Sequence, residues 1–202
     1  AGCSGKGNGN DGEPENPVVP TTGVVADANN AVSADDKEDY KFSGFAASTN
    51  LDSILKDLAS STSDFSKDNI SAVYKNMNAN PNTTVQNKLN DKLDGLRDTD
   101  GKFSGVPADN VSEKYGYIYT ISGKVEQSEA VGKIVDKFVD DTLKNVAADA
   151  VENTTTGAKY DPAYSAEISI VKVSSSSAVN ESAWVVAIVL TQNVTKVSNT
   201  VK

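Results

Sequence analysis

Apolar residues fall into a regular period only from about residue 50 onward. "TNLDSILKDLASS" sets Leu51, Ile54, Leu55 and Leu58 at the three- and four-residue spacing of one helical face, with Thr49 or Asn50 as N-cap. "DFSKDNISAVYKNMN" does the same with Phe65, Ile70, Val73, Tyr74 and Met77, capped by Ser66 and ended by Pro81. "NTTVQNKLNDKLDGL" gathers Val85, Leu89, Leu93 and Leu96 behind a Thr83 cap. "KYGYIYTIS", rich in Tyr and Ile, predicts a strand. The strongest period follows: Val131, Ile134, Val135, Phe138, Val139, Leu143, Val146 and Ala150 share one helix face, starting from Ser128 or Ser122 and stopping at "NTTTG". "YSAEISIVKVS" alternates as a strand, and "ESAWVVAIVLTQNVTKV" is a long strand apolar on both faces at its centre, which places it inside a sheet. "SSSSAVNES" joins these two as a long hairpin.

Three short helices followed by strand–helix–strand–strand define an α+β chain. An antiparallel sheet carries one long amphipathic helix on a face, preceded by a small helical region that covers the sheet or forms a subdomain of its own. Phe138, Ile134, Trp184, Val186 and Ile188 are expected at one helix–sheet interface. The divisions are 1–33 as a flexible tether, 34–110 as mostly helical, and 111–202 as the α+β region, with 34–202 forming one globular unit; "SADDKEDYKF" within it reads as a polar loop. There is no internal repeat.

Composition narrows the chemistry. The 202 residues carry a net charge of −9, and the pI is about 4.5. Binding a polyanion needs a cationic face, so nucleic acid is not an expected partner. Histidine is absent and cysteine occurs once. That excludes Ser-His-Asp and Cys-His catalysis, His-ligated metals, and any disulfide within the chain. No cofactor is implied. No apolar run approaches the roughly 20 residues of a membrane-spanning helix. Eighteen Lys against one Arg, with 19 Asn, is the usage of an AT-rich genome.

The single cysteine, Cys3, lies in "AGCSGKGNGNDGEPENP", among Gly, Ser, Lys and Asn that cannot bury it. Pro14, Pro17 and Pro20, three apart, favour a stiff extended spacer. Ala1-Gly2-Cys3-Ser4 resembles the end of a bacterial lipoprotein signal peptide, the lipobox, whose usual form is Leu-Ala-Gly-Cys. The resemblance covers those four residues. It implies cleavage before Cys3 and a diacylglycerol on its thiol, with palmitate-type acyl chains anchoring the protein to the cell membrane on the extracytoplasmic side. Ala1 and Gly2 would then be the last residues of the signal. Partners outside the cell would be an envelope protein or a cell-wall glycan.

Three groups of residues invite a chemical reading. Asp94, Asp98, Asp100 and Asp109 surround Gly101 and Gly105, as carboxylates do in calcium loops. In the EF-hand register, however, the two end positions are Leu96 and Pro107, which supply no side-chain ligand; the competing reading is a polar Asp-Gly turn. Asp136, Asp140 and Asp141, with Glu129 and Lys133, form the wet face of the long helix. Tyr115, Tyr117 and Tyr119 share one side of a strand, where they either stack on sugars or pack in the core. The expected function is a non-catalytic surface module for binding, adhesion or assembly. The alternatives are a small cell-envelope enzyme using carboxylates or Ser with Lys, and a subunit of a surface filament or complex.

Overall fold

Trp184–Leu190 runs through the middle of the sheet, as its two-sided apolar pattern predicts. Trp184, Val186, Ile188 and Leu190 enter one hydrophobic cluster, while Val185, Ala187 and Val189 enter a second on the opposite face. The computed structural model describes residues 17–20, 23–96, 103, 112–153, 155–177 and 180–197. In chain order its elements are β1 (Val18–Pro20), α1 (Val24–Asn30), α2 (Ala34–Asp39), β2 (Phe42–Ala46), α3 (Thr49–Ala59), α4 (Lys67–Tyr74), β3 (Asn80–Pro81), α5 (Thr83–Asn90), β4 (Glu113–Ser122), α6 (Gln127–Asp141), β5 (Val151–Glu152), β6 (Lys159–Ser174) and β7 (Ser182–Lys196). The fold is α+β: β7 lies between β4 and β6, antiparallel to both, with β3 outside β4. The outer side of β6 is shared by β1 and β5, antiparallel, and β2, parallel.

The two clusters are the two faces of this sheet. On one, α6 contributes Val131, Ile134, Val135, Phe138 and Val139, joined by Ala28 of α1 and by Phe42 and Phe45 of β2. Phe138, Ile134, Trp184, Val186 and Ile188 meet there as expected, all buried. On the other face Leu51, Leu55 and Leu58 of α3, Ile70 of α4, and Val85 and Leu89 of α5 pack against Ile118, Val171, Val173 and the odd-numbered side of β7. The early helices therefore cover the sheet.

The boundaries differ in ways that local hydrogen bonding explains. Ser66 caps α4 as expected, but α3 and α5 are capped one residue early, by Ser48 and Asn82, whose side chains accept Leu51 N at 3.1 Å and Val85 N at 3.0 Å. α4 stops at Tyr74 rather than Pro81, so Met77 is exposed and Pro81 joins β3. Leu96 is likewise exposed. α6 begins at Gln127 and ends at Asp141; the backbone leaves helical geometry at Thr142 (φ −124°), and a 3₁₀ turn at Leu143–Asn145 carries Leu143 and Val146 back into the core.

The expected tether through residue 33 is corrected by two ordered elements within it. β1 pairs with Val171–Val173 of β6, and α1 lies on the α6 side with Ala28 and Val32 buried. Three and seven residues are too few to show a period, yet Val18 packs on the α3-side cluster and Val24, Val25 and Ala28 on the α6-side one. "SADDKEDYKF" is likewise not a loop: it holds α2, capped by Ser33, and the start of β2.

Carboxamides bind edge backbone at two places on this sheet, on β4 and on β2. On β4, Asn90 Oδ1 accepts Gly116 N at 2.8 Å and Asn90 Nδ2 donates to Gly116 O at 3.0 Å, while Gln86 Oε1 accepts Ile118 N at 3.3 Å. A Cβ at Gly116 would lie 2.6 Å from Leu89 Cδ2, so glycine is what lets α5 approach. On β2, Asn29 Oδ1 accepts Phe45 N at 2.8 Å and Nδ2 donates to Phe45 O at 3.0 Å. Gly44 stands beside it at φ +115°, where the register of β2 shifts. Edge groups satisfied in this way are poor templates for another chain's strand.

Candidate functional site

The outer edge of β6 is covered in pieces. β2 pairs with Tyr164–Glu167 and β1 with Val171–Val173. The stretch between, Ile168–Ile170, borders a cleft of about 340 Å³. Its floor is apolar, from Val24, Val25, Ala47, Ile168, Ile170 and Val171; its polar wall is Asp52, Ser53, Lys56 and Ser169.

Strand alternation places Ser169 on the α3 side of β6, where it is only 2% exposed. Its hydroxyl donates to Asp52 Oδ1 at 2.5 Å, short as hydrogen bonds to a carboxylate are. Asp52 sits in the first turn of α3, with Ser53 beside it and Lys56 one turn further along the same face. Asp52 and Lys56 are exposed. The cleft thus offers an apolar floor, a carboxylate fixed by a buried hydroxyl, and a solvated ammonium. It suits an apolar group flanked by polar atoms. Sequence reasoning missed this site. Its one local signal was a serine at an inward position of the run Ile168–Val171.

The residues singled out from sequence are placed elsewhere. Cys3, Asp98, Asp100 and Asp109 lie outside the described residues; Asp94 is described and exposed. Among the described residues no cluster of three or more Asp, Glu, His or Cys side chains is arranged to hold a metal. Asp141 pairs with Lys137 at 2.9 Å and Glu129 with Lys133 at 3.6 Å, each one turn apart on α6, and Asp140 pairs with Lys144 of the following 3₁₀ turn at 3.1 Å. Partial burial, then Asp140, pushes the Asp136 carboxyl up. This is the wet helix face that the spacing predicts.

The tyrosine row packs inward. Tyr117 and Tyr119 are buried against α6, and Tyr117 meets Phe138 edge-on at 5.6 Å and Tyr115 at 5.3 Å. Burial, and secondarily Asp141, pushes the Tyr119 hydroxyl far above the usual tyrosine value. These rings belong to the core and are no sugar platform. Trp184 is also core: its Nε1 donates to Val125 O at 2.7 Å, and the Lys172 ammonium lies 4.9 Å from its ring centre.

No protein-family model, curated protein or solved structure matches this chain.

Proposed function

We propose that the protein is a non-catalytic binding module, held on the extracytoplasmic side of a bacterial membrane by lipid on Cys3, whose cleft beside Ile168–Ile170 receives a segment of an envelope protein. The cleft with its Ser169–Asp52 pair carries this reading. A fixed carboxylate beside an apolar floor, at the point where the sheet edge passes from β2 to β1, suits an extended segment that seats one apolar side chain. The anchor rests on the lipobox resemblance alone.

The two parts are tested separately. Expressed from a precursor with its signal in a bacterium, the protein should take up labelled palmitate and sediment with membranes, and Cys3→Ser should lose both. Unchanged labelling of Cys3→Ser ends the anchor reading. For the cleft, peptides selected by phage display on the wild-type protein should fail on Ala47→Trp, which fills the floor from an exposed position. Selection of no peptide that discriminates the two proteins ends the cleft reading.

Ser169, Asp52 and Lys56 in one cleft also favour a second reading, the Ser/Lys envelope enzyme. A lysine acting as base needs burial to give up its proton near neutrality, and Lys56 is exposed, which makes this the weaker proposal. It requires p-nitrophenyl acetate to acylate the protein at Ser169 and Ser169→Ala to abolish that adduct; an unmodified mass sinks it.

A further inference from the structure

Seven of the 19 asparagines fall between residues 69 and 90, and four of them line a groove along the outward face of α4. The groove has two lobes, of about 300 and 260 Å³, which share Ala72 and Val73. Asn69, Asn82 and Thr84 line one lobe, and Asn76, Asn80 and Thr120 the other.

Each of the four carboxamides is held by one hydrogen bond to backbone, and the partner fixes which end is oxygen and which nitrogen. Asn82 Oδ1 accepts Val85 N and Asn76 Oδ1 accepts Asn78 N, both at 3.0 Å, which leaves two amino groups for the groove. Asn69 Nδ2 donates to Asp64 O at 2.9 Å and Asn80 Nδ2 to Asn78 O at 3.2 Å, which leaves two carbonyl oxygens. The one ionisable side chain among the described lining residues, Asp64, is paired with Lys88 at 2.5 Å.

We propose that this groove binds a neutral polyhydroxylated ligand, an oligosaccharide. Each sugar hydroxyl both donates and accepts, so lobes that each offer one pre-set donor and one pre-set acceptor satisfy it in either sense. An anion would need donors throughout, and it would also meet the repulsion of a chain with net charge −9. Ala72 and Val73 supply a small apolar floor for the C–H face of a ring. Because backbone contacts already hold the amides, little side-chain freedom is lost on binding. The proposal stands apart from the cleft at Ile168–Ile170, and failure of either leaves the other intact.

The test is an NMR titration of the ¹⁵N-labelled protein with two neutral trisaccharides, maltotriose and tri-N-acetylchitotriose. At least one should give saturable shifts at Ala72, Val73, Asn80 and Thr84. Asn76→Asp with Asn82→Asp keeps both backbone contacts, since aspartate caps as well as asparagine, but turns both free donors into acceptors. This pair should weaken binding about tenfold or more, with an unchanged melting temperature. Ala72→Leu, which fills the floor and adds no polar group, should abolish it. Asn50→Asp with Asn30→Asp adds the same charge at exposed positions on α3 and α1, which do not line the groove, and should leave affinity unchanged. No saturable shift with either sugar overturns the proposal. So does binding that survives Ala72→Leu, or that the control pair weakens as much as the groove pair does.

Discussion

At the scale of single residues, the asparagines divide by burial. Asn87 and Asn90 are both on α5, yet Asn87 is exposed while Asn90 is 6% exposed and spends both ends of its amide on Gly116. Asn90→Ala would leave a backbone N–H and a C=O of β4 facing a packed helix. Each such orphan costs about 1–3 kcal/mol, so the expected loss is about 2–6 kcal/mol in urea unfolding, with an unchanged slope against denaturant. A loss below about 0.5 kcal/mol would mean that water replaces the amide. Nothing in the sequence separates Asn90 from Asn87; both read as polar positions in a helix, and their abundance read as codon usage. Ser169 was hidden for the same reason, because its partner Asp52 is 117 residues away in the chain.

Among elements, length decided what was legible. α6 spans 15 residues, long enough for the 3.6-residue period to repeat, and the period picks out Val131, Ile134, Val135, Phe138 and Val139 of its buried stripe; it misses Ala130, and the predicted Leu143, Val146 and Ala150 lie beyond the helix, Ala150 exposed. Phe138, fully buried between Phe45 and Tyr117, should cost about 3–5 kcal/mol when cut to alanine. A loss under about 1 kcal/mol would place the stripe against something other than the sheet. β1 and α1, at three and seven residues, are too short for a period to appear, so their stretch read as tether. Deletion of residues 1–33 should therefore lower the melting temperature sharply, since it removes β1, the buried Ala28 and Val32, and the Asn29 seal on β2. Deletion of 1–16 should leave it unchanged, because that stretch has almost no apolar side chains to bury. Equal melting temperatures for the two truncations would show that β1 and α1 add nothing to the core. Element ends were misplaced wherever a cap competed: Thr83 and Asn82 are both good caps, and the backbone entering from β3 selects Asn82.

Over the whole molecule, charge and topology set the behaviour. The ion pairs of α6 have side chains at least 36% exposed and contribute little, whereas a net charge of −9 repels itself throughout. Raising salt from low ionic strength to about 0.5 M should accordingly raise the melting temperature by a few degrees, as screening acts more on the repulsion than on the pairs. A fall would show that the surface pairs dominate. The carboxamides weigh against strand addition at Phe45 and Gly116, whose backbone groups they already satisfy. By itself the sequence determined the α+β class, the long helix, the central place of β7 and the exclusion of histidine chemistry, because each follows from local period or from composition. The parallel docking of β2 on β6, the carboxamide contacts on β2 and β4, the cleft at Ser169 and the amide-lined groove were decided by tertiary structure. Each depends on residues far apart in the chain meeting across a sheet, and no local pattern encodes those meetings.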